Sequence, residues 1–334
     1  MGVEEEVMLL DADTFAPAPA VRQLLADADG VELGGQLKTE LHASIVELNT
    51  DVCGTVDEAV ETLRALRGAA AELLERRGMR LAAAGSHPFA EPEELEVVDE
   101  KRYAEFVAYV GVTARRQGVS GLHVHVGMPG GDECIATLET ILPWMPLVLA
   151  LSVNSPYLVG RRTGLASNRA EILAQLPRSG APPAFASYAE WEAWIERFLG
   201  TGLAKDYTQF WWDVRPHPRF GTLEIRMPDQ PTSLAISAAF IELLRDLCEW
   251  ALEHPAAAAA DRGVYQQNRW AASRFGPRAE LIHDGRLLAV PDLVAELPVE
   301  LAGLDATTSE ADLQLAAGDA QAACADIVAR TWPS

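Results

Sequence analysis

The run Gly121-Leu122-His123-Val124-His125-Val126-Gly127-Met128 alternates apolar and polar side chains. In a strand successive side chains face opposite ways, so Leu122, Val124 and Val126 share one face and His123 and His125 the other. The same period appears at both ends of the chain. In residues 2–11, Glu4 and Glu6 oppose Val3, Val7 and Leu9; in residues 221–227, Thr222, Glu224 and Arg226 oppose Leu223, Ile225 and Met227. Each segment therefore offers one face to a core and one that carries carboxylate, imidazole or guanidinium groups. That pattern belongs to half-buried antiparallel strands.

Around these strands the sequence predicts two more within 31–51, one at 79–84 and one at 209–215, the last joined to 221–227 by a turn containing Pro216 and Pro218. Helices are predicted over 57–77 (capped by Asp57), 100–117, 132–159, 188–203 and 232–254, and the last eighty residues read as mostly helical. The Gly-, Arg-, Pro- and Ser-rich segment 160–187 reads as a functional loop. No G-x-G-x-x-G βαβ rhythm, internal repeat or linker is present. The expectation is one α+β domain over 1–334, built on an antiparallel sheet.

Composition narrows the partners. The 334 residues include 27 basic and 49 acidic ones, a formal charge of −22, which leaves no basic stripe for nucleic acid or an anionic membrane face. A small anion in a local arginine pocket stays compatible. The apolar stretch 141–159 is interrupted by Pro143, Pro146, Asn154 and Pro156 and reads as a buried helix. The start Met1-Gly2-Val3 leads into glutamates and shows no apolar signal segment, and Cys53, Cys134, Cys248 and Cys324 are far apart. A reduced, cytoplasmic protein is expected.

A solvated polar face usually carries Lys, Thr and Ser. Here three strands carry metal-ligand types, and such a cluster repels itself unless a cation neutralises it. Oxygen-rich donors favour magnesium or manganese over zinc. Glu40 and Glu47 form a further acidic pair, which a bend or bulge in a strand would bring to one site. Among the arginines, Arg169, Arg226 and Arg274 suit phosphate or carboxylate binding through paired donors, whereas Arg161 and Arg162 read as surface ion pairs.

With these residues together, the chain resembles the glutamate–cysteine ligase type 2 family of bacterial ATP-dependent carboxylate–amine ligases. The resemblance rests on Gly2-Val3-Glu4-Glu5-Glu6, the Glu40/Glu47 pair, Ser120 to Gly127 and Gly221-Thr222-Leu223-Glu224-Ile225-Arg226. Asn154-Ser155-Pro156, Ser167 with Arg169, and Asn268-Arg269-Trp270 with Arg274 add to it, in the family's order. It implies a glutamine-synthetase-like curved sheet funnel backed by helices. It also implies ATP-driven amide formation through an acyl phosphate, with glutamate and cysteine as the model substrates and a homo-oligomer compatible. Glu4, Glu6, Glu40, Glu47, His123 and Glu224 would hold two or three magnesium ions, Arg226 would act with Glu224 at the reacting groups, and Arg169 and Arg274 would add anchors. Two other readings compete: a metal-dependent hydrolase using both His123 and His125, and a non-catalytic nucleotide- or metabolite-binding homologue. The first wants a further well-placed histidine; the second is disfavoured because every acidic motif position is filled.

Overall fold

The computed structural model describes residues 1–332. The main sheet contains β1 (Gly2–Asp11), β2 (Gly35–Thr39), β3 (Ile45–Thr50), β4 (Met79–Ala82) and β5 (Leu122–Gly127). After the two-residue ladder of β6 (Tyr157–Leu158) with β7 (Arg161–Arg162), it is completed by β8 (Val214–His217) and β9 (Thr222–Ile225). Strand order is β2-β3-β1-β5-β9-β8, with β4 beside the second half of β1, and every pairing is antiparallel. Helix α1 (Val21–Asp27) precedes β2, and α2 (Val56–Glu75) follows β3. Next come α3 (Lys101–Val110) and α4 (Val112–Arg115), then α5 (Gly131–Ile141), α6 (Met145–Ser152), α7 (Asn168–Leu173) and α8 (Tyr188–Gly200). The last third holds α9 (Leu234–Glu253), α10 (Arg262–Phe275), the hairpin β10 (Glu280–His283) and β11 (Arg286–Ala289), α11 (Val290–Val294), α12 (Glu310–Ala317) and α13 (Ala320–Thr331). The α+β antiparallel architecture is as the alternation predicts.

One face of the sheet is apolar and sealed. Val3, Val7, Leu9, Val124 and Ile225 lie in one cluster with Leu63 and Leu66 of α2 and Phe240, Ile241 and Leu244 of α9. The other face changes character along β1. Met8 and Leu10, which share it with Glu4 and Glu6, pack with Ile45 and with Cys324 and Ile327 of α13. The C-terminal helix thus covers the apolar half of this face, and the half bearing Glu4 and Glu6 is left for a site.

Four local expectations are corrected. Helix α2 begins one residue earlier and is capped by Thr55, whose side chain accepts from Glu58 N; Asp57 sits in the first turn. The predicted helix 132–159 is two helices joined by a short 3₁₀ turn and ends at Ser152. Gly131–Ser152 is apolar and long enough to cross a membrane, yet 89% of its most apolar window is buried within the protein. The strand predicted at 209–215 lies instead at Val214–His217 and includes Pro216, a residue tolerated there because β8 is the sheet edge. The fourth concerns the hairpin β10–β11, where helix and loop were expected. Its turn is Asp284-Gly285, both at positive φ (47° and 72°), the Asp-Gly signature of a tight hairpin.

Candidate functional site

Register aligns the polar side chains into rungs across the sheet. Glu6 lies opposite Glu47. Glu4 lies between Asn49 on β3 and His123 on β5. His125 faces Glu224 on β9, which in turn faces Arg215 on β8. Glu40 joins from the turn after β2, its Oε2 accepting from Leu41 N at 2.8 Å. The bend expected between Glu40 and Glu47 is a hairpin connection and not a bulge. All six predicted ligand residues therefore come to one face.

They do not form one cluster. Carboxylate oxygens of Glu6, Glu40 and Glu47 lie within 4.8 Å of one another; separately, ligand atoms of Glu4, His125 and Glu224 do the same. His123, the histidine chosen from sequence, stands between the two groups. Its Nδ1 is 3.3 Å from Glu4 and 3.4 Å from Arg226, and its Nε2 is 3.8 Å from Glu6. The structure thus brings His125 into a ligand group where the sequence reading favoured His123. The Nε2 atoms of both imidazoles are buried and lack a hydrogen-bond partner. Orphaned ring nitrogens beside converging carboxylates fit a divalent cation.

The two groups differ electrostatically. Burial pushes Glu6 up to about 7 despite Arg169 and Arg226, and pushes Glu40 to about 7 with help from Glu6. Glu47 is pushed to about 8 by burial and by Glu4 and Glu40. In the second group, burial also works against the charge on Glu4 and Glu224. The two imidazoles beside Glu4 outweigh it, and Arg215 and Arg226 outweigh it at Glu224, so both carboxylates stay below the usual range. His123 is lowered to about 4 by burial and by Arg226, so it is a neutral donor at pH 7.

Glu224 is gripped from two sides: Arg215 Nε donates to Oε2 at 2.6 Å and Arg226 donates to Oε1 at 2.5 Å. Arg215 also donates to the carbonyls of Thr208 and Phe210, tying the sheet to the segment before β8. Sequence reading missed Arg215. The signal for it is a charged residue at an edge strand's inward position, which needs a partner; a strand over 209–215 does not pair it with Glu224, whereas β8 at Val214–His217 does.

Arg226 and Arg169 line a cavity of about 440 Å³ floored by Glu6, Glu40 and His123 and walled by α3, α7 and the segment 202–211. Arg169 is 2% exposed and donates to the carbonyls of Met227 and Arg226, leaving its Nε unpartnered. This packing explains Gly121: a Cβ there would lie 2.0 Å from the Arg169 guanidinium, and Gly121 N donates to Glu6 Oε2 at 2.6 Å. Asn154-Ser155 and Ser167 converge on buried Asp229, which also lies 3.8 Å from Arg169. Arg269 is bound to Asp213, whose carbonyl accepts from Arg226 N. Those motif segments therefore build the frame behind the cavity. Arg274 is not brought to it: the guanidinium engages the Gly164 carbonyl and stacks on Phe275. Nor, among the described residues, is a third histidine added to either ligand group. The His217 ring is 5.2 Å from that of His125, but it stacks on Phe220 and faces Tyr207.

Comparison with known proteins follows the same lines. The profile of glutamate-cysteine ligase family 2 matches residues 1–328. A Rubrobacter xylanophilus protein provisionally named glutamate–cysteine ligase 2-3 is 42% identical over 84% of this chain and 77% of its own length. A Herpetosiphon aurantiacus protein provisionally named glutamate–cysteine ligase 2 is 37% identical over 89% of this chain and 78% of its own. Among solved structures, the glutamate–cysteine ligase of Francisella tularensis in complex with AMP superimposes with a TM-score of 0.66 at 13% identity, covering 99% of this chain and 87% of that one. The bifunctional glutathione synthetase of Pasteurella multocida gives 0.60 at 17% identity; the match covers 84% of this chain and 43% of that longer one. These structures share the fold.

Proposed function

The chain belongs to glutamate–cysteine ligase family 2, a group of ATP-dependent ligases, and from that membership we propose that it joins the γ-carboxylate of glutamate to a primary amine through an acyl phosphate. The carrying observation is the convergence of Glu6, Glu40 and Glu47, whose carboxylate oxygens lie within 4.8 Å of one another on one polar face of the sheet, a set whose mutual repulsion a cation would relieve. Glu6, Glu40 and Glu47 would hold one magnesium or manganese ion, and Glu4, His125 and Glu224 another. A metal held there would supply charge neutralisation for a transferring phosphoryl group.

The protein groups do the rest. A carboxylate oxygen of the substrate attacks the terminal phosphorus of ATP and ADP departs. Arg226, fixed by Glu224 and by its backbone bond to Asp213, presents its remaining donors to the substrate carboxylate at the cavity floor. The amine nitrogen then bonds to the acyl carbon, the bond to phosphate breaks, and the amine gives up a proton. Arg215 acts as a positioning residue, since it holds Glu224 and so the angle of Arg226. The unpartnered Arg169 Nε supplies one further donor at that floor.

The test is ADP release by the purified protein with magnesium, ATP, glutamate and a panel of amines, with product masses recorded. The expected result is ADP in step with an amide mass. ADP that accrues at the same rate without an amine, or no ADP with any pair, overturns the proposal.

A further inference from the structure

Above its charged floor the cavity has a mixed lining: Gln117, Thr208 and Gln209 contribute polar groups, and a larger part is apolar. Phe106, Val119, Leu173, Leu176 and Trp211 line it, and the apolar surface continues to the mouth on Tyr109 and Leu203, which are 49% and 54% exposed. Isolated exposed hydrophobics need no explanation, but two that extend a cavity wall outward mark surface a ligand would cover. Tyr109 OH donates to the Leu203 carbonyl at 3.1 Å, and Glu105 pairs with Lys205 at 2.5 Å, so α3 and the segment 202–211 meet at the mouth. A volume of about 440 Å³ falls among sites that take drug-sized molecules, roughly 300–1,000 Å³.

The outer wall also carries two cations, each paired with a carboxylate: Arg102 with Glu100 at 2.9 Å and Lys205 with Glu105. An apolar group gains from burial against Phe106 and Trp211.

We propose that the amine acceptor of this enzyme is a primary amine carrying an aromatic or branched apolar group, larger than cysteine. The proposal rests on the ligase reading of the same site. The nitrogen points to the floor, where it bonds to the acyl carbon as phosphate leaves and a proton departs. The apolar group lies against Phe106 and Trp211.

The experiment compares phenethylamine, phenylalanine and cysteine as acceptors in the ADP-release assay, with glutamate, magnesium and ATP, on the wild-type chain and on Phe106→Ser and Trp211→Leu. Phenethylamine should exceed cysteine in kcat/KM by about tenfold or more, since a single methylene in an apolar pocket is worth roughly 10–200-fold. Either wall variant should raise KM for phenethylamine and shrink that preference while KM for ATP holds. Phenylalanine ahead of cysteine likewise supports the apolar pocket. Cysteine preferred, with an amide product, overturns the inference and leaves the ligase reading intact. A rise in KM for ATP in both wall variants places the nucleotide base on this wall and also overturns it. Silence with every amine falls on the ligase reading itself.

Discussion

Glu5 and its neighbours Glu4 and Glu6 occupy consecutive positions of β1, yet they live in opposite worlds. Glu5 points into the helical side of the sheet with no exposed surface. It is met there by Arg67 Nε at 2.6 Å and NH2 at 2.7 Å, by the Ser237 hydroxyl at 2.5 Å and by Gln230 Nε2 at 3.0 Å. Arg67 spends its other donors on the carbonyls of Thr232 and Pro231. Both carboxylate oxygens of Glu5 and all three guanidinium nitrogens of Arg67 are bonded, so the buried ion pair is self-contained. Glu6 looks instead onto other carboxylates, and the Gly121 N–H with the nearby Arg169 and Arg226 compensates its burial only in part. Along β1, then, the carboxylate fully answered by the protein belongs to the fold, and those only partly answered line the site.

That contrast can be broken most severely at Arg67. Replacing it by alanine strands Glu5 in the core, and the unfolding free energy should fall by about 3–5 kcal/mol in a denaturant titration. The double variant Glu5→Met/Arg67→Met should recover most of this loss, because neither charge is then buried alone. If the single variant unfolds like the wild type, Glu5 is not the structural member of the trio.

The next effect in size is on turnover. Arg226→Gln should lower kcat for ADP release by roughly 10²–10³, the range for removing one electrostatic contact to reacting groups, while the denaturation midpoint moves far less than in Arg67→Ala. A kcat within a fewfold of wild type would detach Arg226 from the chemistry.

Protonation tests the same contrast more gently. Glu6, Glu40 and Glu47 hold protons in the folded chain up to about 7, 7 and 8, against an ordinary 4.5. A raised carboxylate leaves the fold unpenalised at low pH and withdraws that stability as pH rises through the folded value. His42, His87, His123 and His217 are lowered to about 4 by burial, so they act oppositely, and only below their ordinary 6.5. Between pH 6.5 and 8 the carboxylates therefore act alone, and metal-free protein should lose stability across that window. Added magnesium, or Glu47→Gln, should flatten the slope in thermal melts. A metal-free stability that rises from pH 6.5 to 8 would contradict the cluster's assignment.

The smallest effect separates the two histidines. By position His125 belongs to the Glu4/Glu224 group and His123 stands between groups, so His125→Ala should weaken the magnesium dependence of turnover more than His123→Ala. The reverse order would restore the histidine favoured by sequence.

Much of this arrangement was legible before any coordinates, and for a physical reason: the pleat of a strand is local. Alternation in 121–128, 2–11 and 221–227 assigns each side chain a face whatever its neighbours do, so the ligand residues could be gathered from sequence, and the motif order pointed to the ligase family. Non-local decisions were not legible. Whether Glu5 finds an arginine depends on α2 crossing behind β1, and which histidine meets Glu224 depends on the register between β5 and β9. Arg215 becomes a partner only once β8 pairs with β9, and Arg274 leaves the site because α10 ends against the Gly164 loop. The chain determined which groups face the same way; pairing register and helix packing decided which of them touch, because those distances are set by contacts between residues far apart in sequence.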